Sequence, residues 1–137
     1  MTTYFLDTNI CVYILNNKYP YLADCIERYN RNNIKIPAAV YYELRYGAEK
    51  SRNREQTMEK LSRFVSEIEI VPFDEKAAQF AGKIRADLEK AGQVIGGNDI
   101  IIAATALAND ATLVTNNLRE FERIDRLSIE NWVRDEQ

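Results

Sequence analysis

Short apolar runs alternate with segments of helical period along the whole chain, and this alternation limits the fold more than any other feature. Tyr4-Phe5-Leu6, Ile34-Lys35-Ile36, Ile68-Glu69-Ile70-Val71 and Thr112-Leu113-Val114-Thr115 read as short buried strands, with a last one over Leu127-Ser128-Ile129. Between them, helices are expected over Ile10–Leu15, Tyr21–Tyr29, Ala38–Lys50, Glu55–Val65, Asp74–Lys90 and Asp99–Ala108, with Glu120-Phe121 on a short helix or turn. Pro20 separates the first two helices, Pro37 and Pro72 stop strands, Ala91-Gly92 closes the long helix, and Gly96-Gly97-Asn98 opens the next. Strands divided by helices imply an α/β sandwich with a mostly parallel sheet. At 137 residues the chain is expected to be one domain, 1–137. Such sheets place their sites beyond the carboxyl ends of the strands, near a topological switch point. Asp7 follows one strand, and Asn116 and Asn117 follow another.

The chain contains no His, which excludes Ser-His and Cys-His catalytic pairs and every imidazole metal site. Its two Cys, Cys11 and Cys25, cannot form a four-Cys zinc site, and Cys11 reads as a small core residue. Polar chemistry must therefore rest on carboxylates, amides, hydroxyls and basic groups. With 18 basic against 21 acidic residues the net charge is −3, which is not the balance of a protein that coats duplex nucleic acid. A local basic run remains, Arg45, Lys50, Arg52 and Arg54 broken by Glu49, and reads as a solvated helix end. The opening residues carry no basic segment before an apolar run, so no secretory signal is expected. No stretch approaches the ~20 apolar residues of a bilayer span. A cytoplasmic protein with reduced thiols is the expectation.

The informative acids stand where a fold prefers apolar groups. Val40, Glu43, Leu44 and Gly47 share one helical face, as do Asp99, Ile102, Ala103 and Ala106. Asp7 directly follows a buried-looking strand. Each acid alone has a structural explanation: an N-cap for Asp7, a first-turn acid for Asp99, a pairing with Arg45 or Lys50 for Glu43. Three such acids on three elements point instead to a cluster, because charges are rarely buried unless paired or bound to metal. At ~4 Å and an effective dielectric of 20, each pair of carboxylates repels by about 4 kcal/mol. A cluster of that kind would hold a proton or a cation. With oxygen ligands only, the cation is Mg²⁺ or Mn²⁺, whose usual work is phosphodiester chemistry.

These segments resemble those of the PIN-domain nucleases. Asp7-Thr8-Asn9, Tyr42-Glu43-Leu44 with Tyr46-Gly47, Gly96-Gly97-Asn98-Asp99-Ile100-Ile101-Ile102-Ala103-Ala104, and Val114-Thr115-Asn116-Asn117-Leu118-Arg119-Glu120-Phe121 match the four motifs of that family, in its order and across essentially the whole chain. The last segment and the compact length look most like the VapC-type toxins of toxin–antitoxin modules. The resemblance implies a PIN-like α/β/α sandwich and a Mg²⁺- or Mn²⁺-dependent endoribonuclease with Asp7, Glu43 and Asp99 as catalytic, metal-binding acids. Many relatives have Asp where this chain has Asn117; an amide can ligate a cation but adds no charge, and Glu120 is the nearest acid that could replace it. Asn9 and Thr115 would orient carboxylates or water. The resemblance also implies a homodimer, a small antitoxin partner, operator DNA bound through the antitoxin complex, and a structured RNA substrate, with tRNA, and initiator tRNA in particular, as the expected target.

Two other readings compete. A receiver-type signalling domain also binds Mg²⁺ at strand ends, but it needs paired acids after the first strand and a Lys after the last, and neither is present. A PIN-domain nuclease of RNA processing, without a toxic role, shares every motif above. Tyr41, Tyr42 and Tyr46 lie close together on one helix, where core or dimer-interface positions are expected before base stacking.

Overall fold

A computed structural model describes residues 2–134. Five strands, β1 (Tyr4–Leu6), β2 (Ile34–Pro37), β3 (Glu69–Val71), β4 (Thr112–Val114) and β5 (Ile129–Glu130), form one sheet in the order β3-β2-β1-β4-β5. Every neighbouring pair is parallel, so the sheet is wholly rather than mostly parallel. Helices α1 (Thr8–Leu15), α2 (Tyr21–Arg28), α3 (Ala38–Glu49), α4 (Arg54–Val65), α5 (Glu75–Lys90), α6 (Gly97–Ala108) and α7 (Leu118–Phe121) flank it as an α/β/α sandwich. The sequence steps outward from β1 through β2 to β3, then returns to pair β4 on the other side of β1. The switch point is thus between β1 and β4, whose carboxyl ends carry Asp7 and Thr115.

The helix starts follow from local chemistry. Asp7 caps α1, its Oδ1 accepting the Ile10 N–H at 3.0 Å, and Asp74 caps α5 by accepting the Ala77 N–H at 2.9 Å. Past the end of α5, Gly92 takes φ 69°, the left-handed conformation that glycine adopts without strain. α6 starts at Gly97, two residues before the expected position, because Gly96 is still extended while Gly97 and Asn98 already coil. The last strand is Ile129–Glu130 rather than Leu127–Ile129, since the register pairs Ile129 with Leu113 and Glu130 with Val114. A single 3-10 turn over Arg31–Asn33, not expected from periodicity, leads into β2.

The core is made by both faces of the three central strands: Phe5, Leu6, Ile34, Ile36, Leu113 and Val114 are buried. Such strands read as near-continuous apolar runs because helices cover both faces. α6 is apolar almost all round for the same reason, packing on β2, β4 and α3 and covered by α5. Its one buried hydroxyl, Thr105, donates to the Ile101 carbonyl at 2.7 Å. Cys11 and Cys25 are both buried and free. After β5, Trp132 stacks on Tyr29 with ring centroids 5.0 Å apart and planes within 9°, and Tyr4 closes the group from β1. The Arg134 N–H donates to the Tyr21 hydroxyl at 2.7 Å, tying the following segment to α2.

Candidate active site

Asp7 is buried at the end of β1, and three donors explain how the fold tolerates it there. Its Oδ1 takes the Ile10 N–H, and the Asn9 N–H lies close enough to favour the charged form. Its Oδ2 accepts the Thr115 hydroxyl at 2.5 Å, from the end of β4. Burial nevertheless outweighs these bonds and pushes the Asp7 carboxyl above the ordinary aspartate range, with the Glu43 charge adding to the shift. The N-cap explanation is therefore correct but incomplete, because a capping aspartate needs neither burial nor a hydroxyl from a distant strand.

Thr115 joins two elements. While its hydroxyl donates to Asp7, the same oxygen accepts the Asn117 N–H at 2.9 Å. The backbone beside it continues the ladder, the Asp7 N–H donating to Val114 O at 3.0 Å. The turn from β4 into α7, which carries Asn117 and Glu120, is thereby keyed to Asp7.

Glu43 sits on α3 at the rim of the buried stripe rather than within it. The buried positions of α3 are Val40, Leu44 and Ala48, so Glu43 and Gly47 are rotated to its half-exposed edge. The pairing with Arg45 or Lys50 is not formed: Arg45 lies 3.8 Å from Glu49, which also holds Arg54 at 2.6 Å. Glu43 instead accepts the Thr8 hydroxyl at 2.6 Å. Thr8, absent from the sequence-derived set, occupies the first turn of α1, one residue after Asp7. It supplies the side-chain bond for which Asn9 was the candidate, whereas Asn9 itself is exposed and meets Asp7 through its backbone. A hydroxyl next to a candidate acid in a helix-starting segment was the signal available, but only the packing of α1 on α3 supplies its partner.

Asp99, half-buried in the first turn of α6, completes the group. Its carboxyl is raised from 3.8 to about 7, first by burial, then by sharing a hydrogen bond with Glu120 and by the charges of Glu120, Glu43 and Asp7. Asp7, Glu43 and Glu120 thus all act on Asp99, Glu120 the most strongly of the three. Asn117 is half-buried at the start of α7. Among the described residues no three His, Cys, Asp or Glu side chains stand in ready geometry for a metal ion, so the acids lie near one another without forming a finished site. Their donors fit a hard divalent cation: all are oxygens, and their mutual repulsion is unrelieved by any paired Lys or Arg among the described residues. An arrangement of this kind can hold a proton or a cation beside a phosphate.

Tyr42 and Tyr46 do not belong to the core: they are 60% and 58% exposed, and only Tyr41 of the three packs against buried residues. The turn of α3 leaves these two rings on its outer side. Among the described residues, no helix is long and apolar enough to cross a membrane.

Residues 4–127 match the family model for the PIN domain. The chain is 46% identical over 130 residues to ribonuclease VapC2 of Rickettsia felis, covering 94% of this chain and 97% of that one. It is 41% identical over 134 residues to the tRNA(fMet)-specific endonuclease VapC of Shigella flexneri, covering 96% and 99%. Its fold superposes with a TM-score of 0.92, at 44% identity and 96% and 100% coverage, on a chain in the crystal structure of VapBC2 from Rickettsia felis bound to a DNA fragment from their promoter. With the fold, the acids at its switch point and these likenesses in agreement, the chain belongs to the PIN-domain family, among its VapC ribonucleases.

Proposed function

We propose that this chain is a single nuclease domain over 1–137 and acts as the ribonuclease toxin of a toxin–antitoxin module, cutting structured RNA with the help of Mg²⁺ or Mn²⁺. The observation that supports the reading is that Asp7, Glu43 and Asp99, from three separate elements, lie near enough for their charges to act on one another, with hydroxyls bonded to two of them. Asp7, Glu43 and Asp99 would hold the cation, with Asn117 and Glu120 at its edge and Thr8, Thr115 and the Asn9 backbone orienting the ligands. When bound, the ion would activate water and neutralise charge developing on a non-bridging phosphate oxygen. The protein's own part is to keep Asp7 and Glu43 aimed by donated hydrogen bonds. Attack of water at phosphorus with cleavage of the P–O3′ bond leaves a 5′-phosphate and a 3′-hydroxyl.

The names of the relatives support the biological setting. A tRNA-specific endonuclease from Shigella flexneri and a promoter-bound VapBC2 complex from Rickettsia felis point to a tRNA target, initiator tRNA first, and to an antitoxin that carries the complex to operator DNA. A cytoplasmic homodimer is part of the same proposal. An antitoxin Arg could replace the cation by pairing with the acids. The test is cleavage of total tRNA by the purified chain. Activity is expected with Mg²⁺ or Mn²⁺, none in EDTA, and 5′-phosphate ends in the products. Full cleavage in EDTA, or 2′,3′-cyclic phosphate ends, overturns the mechanism. Expression without effect on growth overturns the toxin role and leaves a processing nuclease.

A further inference from the structure

We infer that the outer edge of α3 is a platform for an unpaired RNA strand leading away from the acids. The inference rests on the ribonuclease reading and deepens it. Glu43, Tyr46, Gly47 and Lys50 fall at i, i+3, i+4 and i+7, one continuous edge of the helix. The edge begins at an acid of the site. One turn on, Tyr46 presents a ring that is 58% exposed, and Lys50 lies over that ring at 4.6 Å from its centroid. Among the described residues Lys50 has no carboxylate partner, whereas Arg45 and Arg54 share Glu49.

Gly47 is the second, independent sign. It lies inside α3 without a positive φ, so no backbone conformation there requires glycine. A Cβ at this position would meet nothing within 4 Å, so no packing inside the chain requires it either. Glycine in a helix interior is less favourable than alanine. A glycine here leaves the helix backbone open to close approach from outside the chain, next to an exposed ring and a cation with no carboxylate partner.

A single-stranded RNA loop meets all three conditions. Bases stack on aromatic rings irrespective of sequence, and phosphates seek unpaired cations. The stretch from residue 38 to 54 holds Arg45, Lys50, Arg52 and Arg54 against Glu43 and Glu49, a local positive balance in a chain of net charge −3. A second copy of the chain would also cover Tyr46, and the sedimentation measurement below separates that case.

The experiment measures binding in EDTA, where no cleavage occurs. The probe is a fluorescein-labelled RNA stem–loop, compared with the blunt duplex of its stem, by anisotropy with the full chain. Tyr46→Ala is expected to weaken stem–loop binding about tenfold, Tyr46→Phe to restore it, and Lys50→Gln to weaken it with a shallower salt dependence. Gly47→Ala is the discriminating variant. It should raise Tm by about 3–5 °C and still weaken the stem–loop several-fold, with the duplex little affected. Unchanged stem–loop affinity in Tyr46→Ala and Gly47→Ala overturns the platform while the ribonuclease reading stands. A changed sedimentation coefficient at unchanged RNA affinity also overturns it, and assigns the edge to contact between copies. Wild-type chain that neither binds the stem–loop nor cleaves RNA overturns both readings.

Discussion

Asp99 carries the sharpest conflict among the individual residues. Its carboxyl is raised from 3.8 to about 7 by burial and by Glu120. Between those two values the folded chain holds a proton that the unfolded chain has released. Stability is therefore highest below the unfolded value and falls as pH rises through about 7. Metal-free protein should melt higher at pH 5.5 than at pH 8. Asp99→Asn should flatten that difference and raise Tm at pH 8 by roughly 3 °C or more, the half-exposed position moderating the gain. The same substitution should remove activity, as should Asp7→Asn and Glu43→Gln, each by more than the ~10–100-fold typical of an outer-shell partner. A metal-free Asp99→Asn variant less stable than wild type at pH 8 contradicts the picture of an uncompensated charge.

Thr8 is tested at the same scale. With its hydroxyl 2.6 Å from Glu43, Thr8→Val should raise the Mn²⁺ concentration needed for half-maximal activity by ~10-fold, and Thr8→Ser should restore it. Isothermal titration of Mn²⁺ onto the protein separates this from a general loss of fold. Identical Mn²⁺ affinity in Thr8→Val and wild type places Thr8 outside the machinery.

At the scale of elements, the segment from the end of β4 into α7 behaves as one unit, because the Thr115 hydroxyl is at once the donor to Asp7 and the acceptor for Asn117. It brings Glu120 against Asp99. Glu120→Gln should lower the Asp99 carboxyl pKa, moving the acidic limb of the pH–rate profile to lower pH, and should raise the metal requirement. Asn117→Asp should lower that requirement by adding a charge at the start of α7. A pH profile unmoved by Glu120→Gln would remove Glu120 from the site. The elements themselves were mostly legible in the sequence, since Asp7 and Asp74 announce helices and the apolar runs are short and bounded by Pro or Gly. Their edges were not. β5 is set by its register against β4, and the stripe of α3 is set by what it packs upon. Val40, Leu44 and Ala48 form the stripe, so Glu43 and Gly47, which share a helical face with Val40 in the sequence, stand at its rim.

For the molecule as a whole, the last described residues fasten the segment after β5 onto β1 and α2. Trp132, stacked on Tyr29 and tilted against Tyr4, is 6% exposed. Trp132→Ala should cost about 3–5 kcal/mol in urea unfolding, while cleavage measured well below Tm stays near the wild-type level. A large loss of kcat in folded Trp132→Ala would mean that this aromatic group is coupled to the acids.

The sequence by itself determined the chemistry available and the order in which it arrives. Without His and with only two Cys, oxygen donors were what remained, and acids on otherwise apolar segments singled out Asp7, Glu43 and Asp99. Local signals could go no further, because spacing along one helix cannot say which other element that helix will face. The tertiary structure decided the partners. The strand order puts β4 beside β1, so Thr115 reaches Asp7 across 108 residues of chain. The packing of α1 on α3 delivers Thr8 to Glu43 across 35. Glu120 meets Asp99 because α7 follows the strand next to β1. These pairings are non-local: each depends on closing a long loop through the parallel sheet, whose order is a property of the whole chain.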